Sequence, residues 1–517
     1  MIAVVHSATL SGTTGRPVVV EVHIAPGLPG FTIVGLPDAA VRESRDRVRA
    51  ALLSSGFAWP QHRVTVNLAP SALRKAGSGL DLAVAVGVLV AQQRVPAAAV
   101  EATAFVGELG LDGSVRHVPG VIALADAALM GRLVVPEADG AEAAAVRPGR
   151  TFGVSALRTL VDVLCGRAPW PPARRIIVRD AADGGGPRAR SEVTPALGGC
   201  DLAEVKGQRV GRRAVEVAAA GGHHLLLVGP PGSGKTMLAQ RVAGLLPRLT
   251  RTAAVEVTRV HSAAGLAPSV PGLFWDPPFR APHHGASAVS LIGGGTWSMR
   301  PGEISLATHG VLFLDELGEF PVSVLDALRQ PLEEGVVRVS RARGSVTFPA
   351  RFLLVAAMNP CPCGDGGAAG ACRCTPVARA RYVRRLSGPL LDRFDLVVPL
   401  RRTDPDELLS AELGECTSAV AARVTAARAV AARRGVPCNA ALPARQLDQV
   451  APLVDGAAAL LAAAVRSGRV SGRGLARVRR VARTLADLAG LERLEEHHVA
   501  EALALRVGRE VLETATV

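Results

Sequence analysis

The chain has very little lysine. Of its 59 basic residues only Lys75, Lys206 and Lys235 are lysines, so arginine holds nearly every generic positive position. A lysine that survives in such a background looks chosen, although arginine bias also follows from genome composition. Aromatic residues make up only 3% of the chain, with a single tyrosine, so the cores must be built from Ala, Val and Leu. Eight cysteines in 517 residues exclude a disulfide scaffold. The longest apolar run, near Leu82 to Ala91, is too short to span a bilayer, so no membrane partner is expected. The N-terminus, Met1-Ile2-Ala3-Val4-Val5-His6, lacks a basic region followed by an apolar stretch and a cleavage site. A cytoplasmic protein is therefore expected.

What is present is ample apolar content and positive charge. Hydrophobic residues reach 49%, enough for real cores, and the length suits two to four domains. A net charge of +14 favours an anionic partner, nucleic acid being the obvious one, since arginine binds phosphate bidentately. An arginine-rich composition would raise the charge without any nucleic acid, so charge leaves both readings open.

Four stretches follow along the chain. Residues 1–165 mix strands (Val18–Val22 and the alternating Val64–Leu68) with a helix over Asp38–Ser55 and an Asp-Gly hairpin turn at Leu111–Val115. This is an α/β or α+β unit. Residues 166–199 hold Pro169, Pro171, Pro172 and Gly184-Gly185-Gly186-Pro187, which suits a mobile linker. Residues 200–402 carry short continuous apolar runs (Leu225–Val228, Val311–Leu314, Phe352–Met358, Leu396–Val398) separated by helical segments. Such runs imply a parallel sheet covered on both faces. Residues 403–517 become helical, with three- and four-residue apolar spacing over Ala419–Arg434 and Gly474–Leu491.

The densest chemistry is Gly229-Pro230-Pro231-Gly232-Ser233-Gly234-Lys235-Thr236, which fits G-x-x-x-x-G-K-[ST] between an apolar run and a helical run. Its backbone N–H groups would close on phosphate oxygens, Lys235 would reach the β- and γ-phosphates, and Thr236 would hold Mg²⁺. The helix that follows turns its positive end toward the anion. The run Val311–Leu314 then presents Asp315 and Glu316 at a strand end. Asp315 would support Mg²⁺ with Thr236, and Glu316 would act as general base toward the attacking water. Asn359 ends the next strand, where its amide would orient that water; a plain strand-end cap is the alternative. Arg393 could stabilise transition-state charge on a neighbouring subunit's nucleotide; a surface salt bridge with Asp392 or Asp395 is the alternative.

Together with Asp201–Gln208, these residues resemble an AAA+ ATPase. More narrowly, Phe279-Arg280-Ala281-Pro282-His283-His284, Gly302-Glu303-Ile304-Ser305-Leu306-Ala307, Asn359-Pro360-Cys361-Pro362-Cys363-Gly364 and Ser387-Gly388-Pro389-Leu390-Leu391-Asp392-Arg393 resemble the magnesium-chelatase-like ComM/YifB family. The resemblance implies a multidomain α/β protein. It would have an N-terminal Lon-protease-like α+β domain of the ribosomal S5 domain 2 type, an AAA+ P-loop core with a parallel sheet, and a C-terminal helical lid. It implies a homo-hexameric helicase that uses ATP and Mg²⁺ to promote branch migration on DNA during integration of transforming DNA. It also makes Asn359 sensor 1, Arg393 the arginine finger and Arg473 sensor 2, with Arg477 and Arg480 as close rivals. A chelatase-type motor that remodels a protein partner is the alternative, and the Lon-like domain argues against it.

Three further features need weighing. Ser78-Gly79-Leu80-Asp81 is similar to the segment carrying the nucleophilic serine of Lon, but Gly79 stands at the nucleophile's place, so a non-proteolytic relative is expected. Four of the eight cysteines form Cys361-x-Cys363-x₈-Cys372-x-Cys374. Four thiolates suit tetrahedral Zn²⁺, though Cys-x-Cys is tighter than the usual Cys-x₂-Cys knuckle, and a reduced surface loop is the alternative. Val336–Phe348 reads as a hairpin crowded by Arg338, Arg341 and Arg343. By resemblance it is a pore hairpin whose arginines contact DNA phosphates; a charge-guarded edge hairpin is the alternative. His283 and His284 suggest a structural hydrogen-bonding role.

Overall fold

The computed structural model describes residues 2–174, 200–266, 272–295, 299–341, 344–365, 372–409 and 412–506. The first unit is built on a seven-stranded sheet. Ile2–Ser11 and Thr14–Ala25 form an antiparallel hairpin whose turn needs Gly12 at φ +63°. Arg63–Ala69 pairs antiparallel with the second of these, burying Val64, Val66 and Leu68 on alternate positions. Thr103–Phe105, Arg132–Pro136 and Thr151–Val154 extend the other edge as parallel strands. The helix Ala39–Ser54 starts at the expected cap, where the Asp38 carboxylate accepts from the Val41 N–H at 2.8 Å. Asp81–Ala91 is a helix buried along its whole length, as expected of a segment apolar all round.

The expected linker does not begin at residue 166. Residues 166–174 lie against the first unit. The Trp170 ring packs 5.0 Å from Phe152, and the Arg174 N–H donates to the Thr151 carbonyl at 2.8 Å. Proline and arginine content suggested mobility there, but a tryptophan can supply the burial that holds such a segment down. Residues 175–199 of the expected linker lie outside the described residues.

The second sheet has five parallel strands, ordered Phe279–Arg280, Val311–Leu314, Leu353–Met358, Leu225–Val228 and Leu396–Pro399. The three in the middle are buried at every position, as their continuous apolar runs require. Phe279–Arg280 was missed, because two residues carry no periodicity. The order places the strand before Asn359 between the strand before the phosphate loop and the strand before Asp315. Because all are parallel, their carboxyl ends meet at one edge, where ligands of open α/β sheets gather.

The helices Thr417–Arg433, Asp455–Arg466, Gly472–Leu488 and Glu496–Ala504 share a core with this sheet. One buried cluster runs from Leu225 and Leu227 through Val424 to Leu485 and Val499. The first unit also docks on the second. Gly120 N–H donates to the Ser262 carbonyl at 3.0 Å, and Ile122 and Ala145 pack with Ala254 and Leu273. The hairpin turn at Gly12 meets the hairpin of the second unit so closely that an added Cβ would stand 2.2 Å from Val346 Cγ1. Among the described residues, no helix is long and apolar enough to cross a membrane.

Candidate active site

The phosphate loop leaves the strand Leu225–Val228 and enters the helix Lys235–Leu245. Gly232 and Gly234 take φ of +78° and +79°, and a Cβ at either would meet nothing within 4 Å. The loop is therefore a concave backbone with open space in front of it. Ser233 is buried in it with a hydroxyl that has no partner. These are features of an anion cradle.

The predicted partners converge on this loop. Lys235 Nζ donates to the carbonyls of Gly229 (2.7 Å) and Pro230 (2.8 Å) and to Asn359 Oδ1 (3.1 Å). Burial lowers the Lys235 pKa, while Asp315 and Glu316 oppose that fall. Thr236 Oγ1 donates to Asp315 Oδ2 at 2.8 Å. A hydroxyl and a carboxylate side by side are hard oxygen donors suited to Mg²⁺. The Asp315 carboxylate also accepts the Glu316 N–H at 2.9 Å, and Glu316 sits at φ +52°, a conformation non-glycine residues adopt rarely.

His284 was not assigned any chemistry, yet its Nδ1 lies 3.0 Å from the Glu316 carboxylate. A contact spanning thirty-two positions (316 − 284) leaves no trace in local pattern. The His-His pair was the only signal, and it named no partner. The His284 ring lies beside that of His283, with centroids 4.0 Å apart and the planes tilted by 34°.

Arg393 stands apart from this group. It pairs with Glu333, and burial lowers its pKa first, with Arg477, Arg473 and Arg329 adding repulsion. Neighbouring Asp395 is held by His223 (3.1 Å) and Arg477 (3.5 Å). Burial works against ionising Asp395, but these partners keep its pKa below the ordinary value. Of the three rivals for sensor 2, Arg477 is thus engaged by Asp395 and Arg480 donates to the Leu442 carbonyl at 2.8 Å, whereas Arg473 is exposed. Lys206, in the Asp201–Gln208 segment of the family resemblance, donates to the Leu408 carbonyl at 2.8 Å.

The arginine hairpin forms as Val336–Arg341 against Gly344–Pro349. Arg338 pairs with Glu334, while Arg341 is exposed at the tip, opposite Gly344. Three positions apart on a strand, the two belong to opposite faces by alternation, so they do not form one stripe. Arg343 lies outside the described residues.

In the first unit, Ser78 and Lys75 do not meet. Ser78 Oγ donates to Glu108, and the buried Lys75 Nζ donates to the Pro70 carbonyl. The four sulfurs of Cys361, Cys363, Cys372 and Cys374 lie within 4.8 Å of one another.

Family models match most of the chain. One described as magnesium chelatase, subunit ChlI, covers residues 201–408; one described as subunit ChlI of Mg-chelatase covers 20–139; and one described as magnesium chelatase, subunit ChlI C-terminal, covers 414–506. The competence protein ComM of Haemophilus influenzae is 42% identical over 509 residues, spanning 98% of this chain and 97% of that protein. The uncharacterized protein YifB of Escherichia coli is 41% identical over 507 residues, again 98% and 97%. A more remote likeness is to a probable DNA helicase, MCM9, of Arabidopsis thaliana, at 26% over 187 residues, 36% of this chain and 24% of that protein.

Proposed function

Because the chain belongs to the magnesium-chelatase-like family that includes ComM and YifB, we propose that it is an ATP-hydrolysing motor working on DNA. The family implies an AAA+ ATPase with ATP and Mg²⁺. The finer reading is a homo-hexameric ring acting as a helicase on branched or single-stranded DNA. The observation that carries the ATPase is the convergence of Lys235 on Asn359 and of Thr236 on Asp315 at the carboxyl edge of one sheet; the DNA part is supported by the likeness to ComM and to an MCM-type helicase.

In this reading, Gly229–Thr236 holds the triphosphate, and Thr236 and Asp315 would hold Mg²⁺, which neutralises phosphate charge when bound. Glu316 accepts the proton of the attacking water, and Asn359 fixes that water through the amide it now turns toward Lys235. His284 steadies the Glu316 carboxylate. Arg393 and Arg473 are assigned roles toward the nucleotide by the family resemblance. Arg393 acts as arginine finger on a neighbouring subunit's nucleotide, and Arg473 acts as sensor 2. Residues 1–165 act as a non-proteolytic Lon-like domain, 200–402 as the motor and 403–517 as its helical lid. DNA contact is assigned to Arg338, Arg341 and Arg343.

A chelatase-type motor that remodels a protein partner is the second reading, and one observation favours it. The chelatase-subunit model extends over residues 20–139, so the N-terminal unit no longer argues against it. ATP turnover with and without forked DNA, at two salt concentrations, separates the two. DNA stimulation that fades with salt is expected for the helicase. No stimulation at low salt retires it in favour of remodelling.

A further inference from the structure

The segment from Asn359 to Thr375 links the water-orienting amide to the helix Pro376–Arg384, and its thiols take no part in the chemistry above. Their placement is specific. Cys361 Sγ lies 3.3 Å from Cys363 Sγ and 3.8 Å from Cys372 Sγ, and Cys363 Sγ lies 3.6 Å from Cys372 Sγ. A Zn–S bond of about 2.3 Å in a regular tetrahedron sets sulfur–sulfur separations of about 3.8 Å. These three separations are close to that value, Cys374 Sγ lies within 4.8 Å of each of the others, and the two Cys-x-Cys pairs come from opposite ends of the loop. A closed set of four thiolates is a structural site with no position left for a substrate. Thiolates select soft or borderline ions over Mg²⁺, so this cluster and the Thr236–Asp315 pair do not compete for one metal.

The loop also presses on the phosphate loop. Gly364 takes φ +90° and donates its N–H to the Cys361 carbonyl at 3.0 Å. It lies so close to Pro231 that an added Cβ would stand 2.6 Å from Pro231 Cδ. Only a glycine held in this place allows that approach. Cys361 is fully buried and follows Asn359 by two positions. In the helix that follows the cluster, Tyr382 packs over Gly318, three residues beyond Asp315, and Arg385 just past its end donates to the Gly318 carbonyl at 2.9 Å. The loop that carries the thiols therefore starts at Asn359, touches the phosphate loop through Gly364, and leads into the helix that touches the segment after Asp315–Glu316.

We infer that Cys361, Cys363, Cys372 and Cys374 bind one structural Zn²⁺, which clamps the loop carrying Gly364 against Pro231 and so braces the phosphate loop and Asn359. The metal half of this inference stands independently of the ATPase reading; the brace rests on it.

The test uses the full chain purified under reducing conditions. Elemental analysis is expected to give about one equivalent of zinc, retained in Cys416→Ser and lost in the double variant Cys372→Ser/Cys374→Ser. Metal-stripped protein titrated with Co²⁺ alone is expected to show the visible bands of a tetrahedral cobalt thiolate, saturating at one equivalent. This readout needs no variant to fold. Less than about a tenth of an equivalent of zinc, with no cobalt spectrum on reconstitution, overturns the site. So does iron in place of zinc, or a thiol count showing a Cys361–Cys363 disulfide. The brace is read separately, as ATP turnover of stripped and Zn²⁺-reloaded protein at equal helical content. A loss of about tenfold on stripping, recovered on reloading, is expected. Unchanged turnover overturns the brace and leaves the metal site standing, and a chain without ATPase activity at any zinc content points instead to failure of the motor reading.

Discussion

Lys75 and Lys235 invite comparison, because both are withdrawn from water and both have pKa values lowered by burial. Each follows a turn rich in proline or glycine, and each has a hydroxyl nearby. Their surroundings differ in one respect. Around Lys235 every polar neighbour converges: Asn359 on the ammonium, Asp315 on Thr236, and open space ahead of Gly232 and Gly234. Around Lys75 they diverge, the ammonium going to the Pro70 carbonyl and Ser78 to Glu108. Residue type alone makes the two look alike. Chemistry requires that the groups share a space in which a ligand can stand.

The strongest test of that convergence lies across the subunit boundary. Arg393→Ala is expected to lower ATP turnover by about 10³-fold while leaving nucleotide binding in place, because in the proposed ring the guanidinium would act on a neighbour's transition state. Glu316→Gln is expected to lose about 10²-fold or more in turnover, again with binding intact. Mixing the two inactive variants should restore part of the activity, since a ring of both contains sites with an intact Glu316 beside an intact Arg393. Normal turnover in Glu316→Gln removes its assignment as base, and mixtures as inactive as their components remove the trans role of Arg393.

How much of this was legible follows from distance along the chain. The phosphate loop, the Asp315–Glu316 strand end and the three central strands were readable because each is a dense local pattern. Asp38 as a helix cap was readable for the same reason. The His284–Glu316 contact and the Arg393–Glu333 pair were not, because nothing local encodes which distant carboxylate a side chain meets. The arginine hairpin was legible as a hairpin, but counting arginines concealed that Arg338 and Arg341 occupy opposite faces. Residues 166–174 read as linker because composition registers proline and cannot register that Trp170 has a ring to pack on.

His284 gives a smaller effect that sharpens the picture of the core site. His284→Ala is expected to lower turnover about threefold to tenfold by freeing the Glu316 carboxylate, with nucleotide affinity unchanged. His284→Gln, which keeps a donor, should recover most of the loss. If the two variants are equally impaired, the contact is packing rather than positioning.

The smallest expected effect is in the first unit. Lys75→Met keeps the length of the buried chain while removing its charge, and Ser78→Ala removes the hydroxyl that Glu108 accepts from. If the divergent geometry means what it suggests, neither change alters ATP turnover beyond about twofold, and neither creates nor abolishes cleavage of casein. A serine nucleophile needs its base within hydrogen-bond reach, and here the hydroxyl and the ammonium are each committed to a different oxygen. Casein cleavage by the purified chain that disappears in Ser78→Ala would show that the pair meets in solution. The contrast with Lys235 would then fail, because convergence would have been available at both lysines.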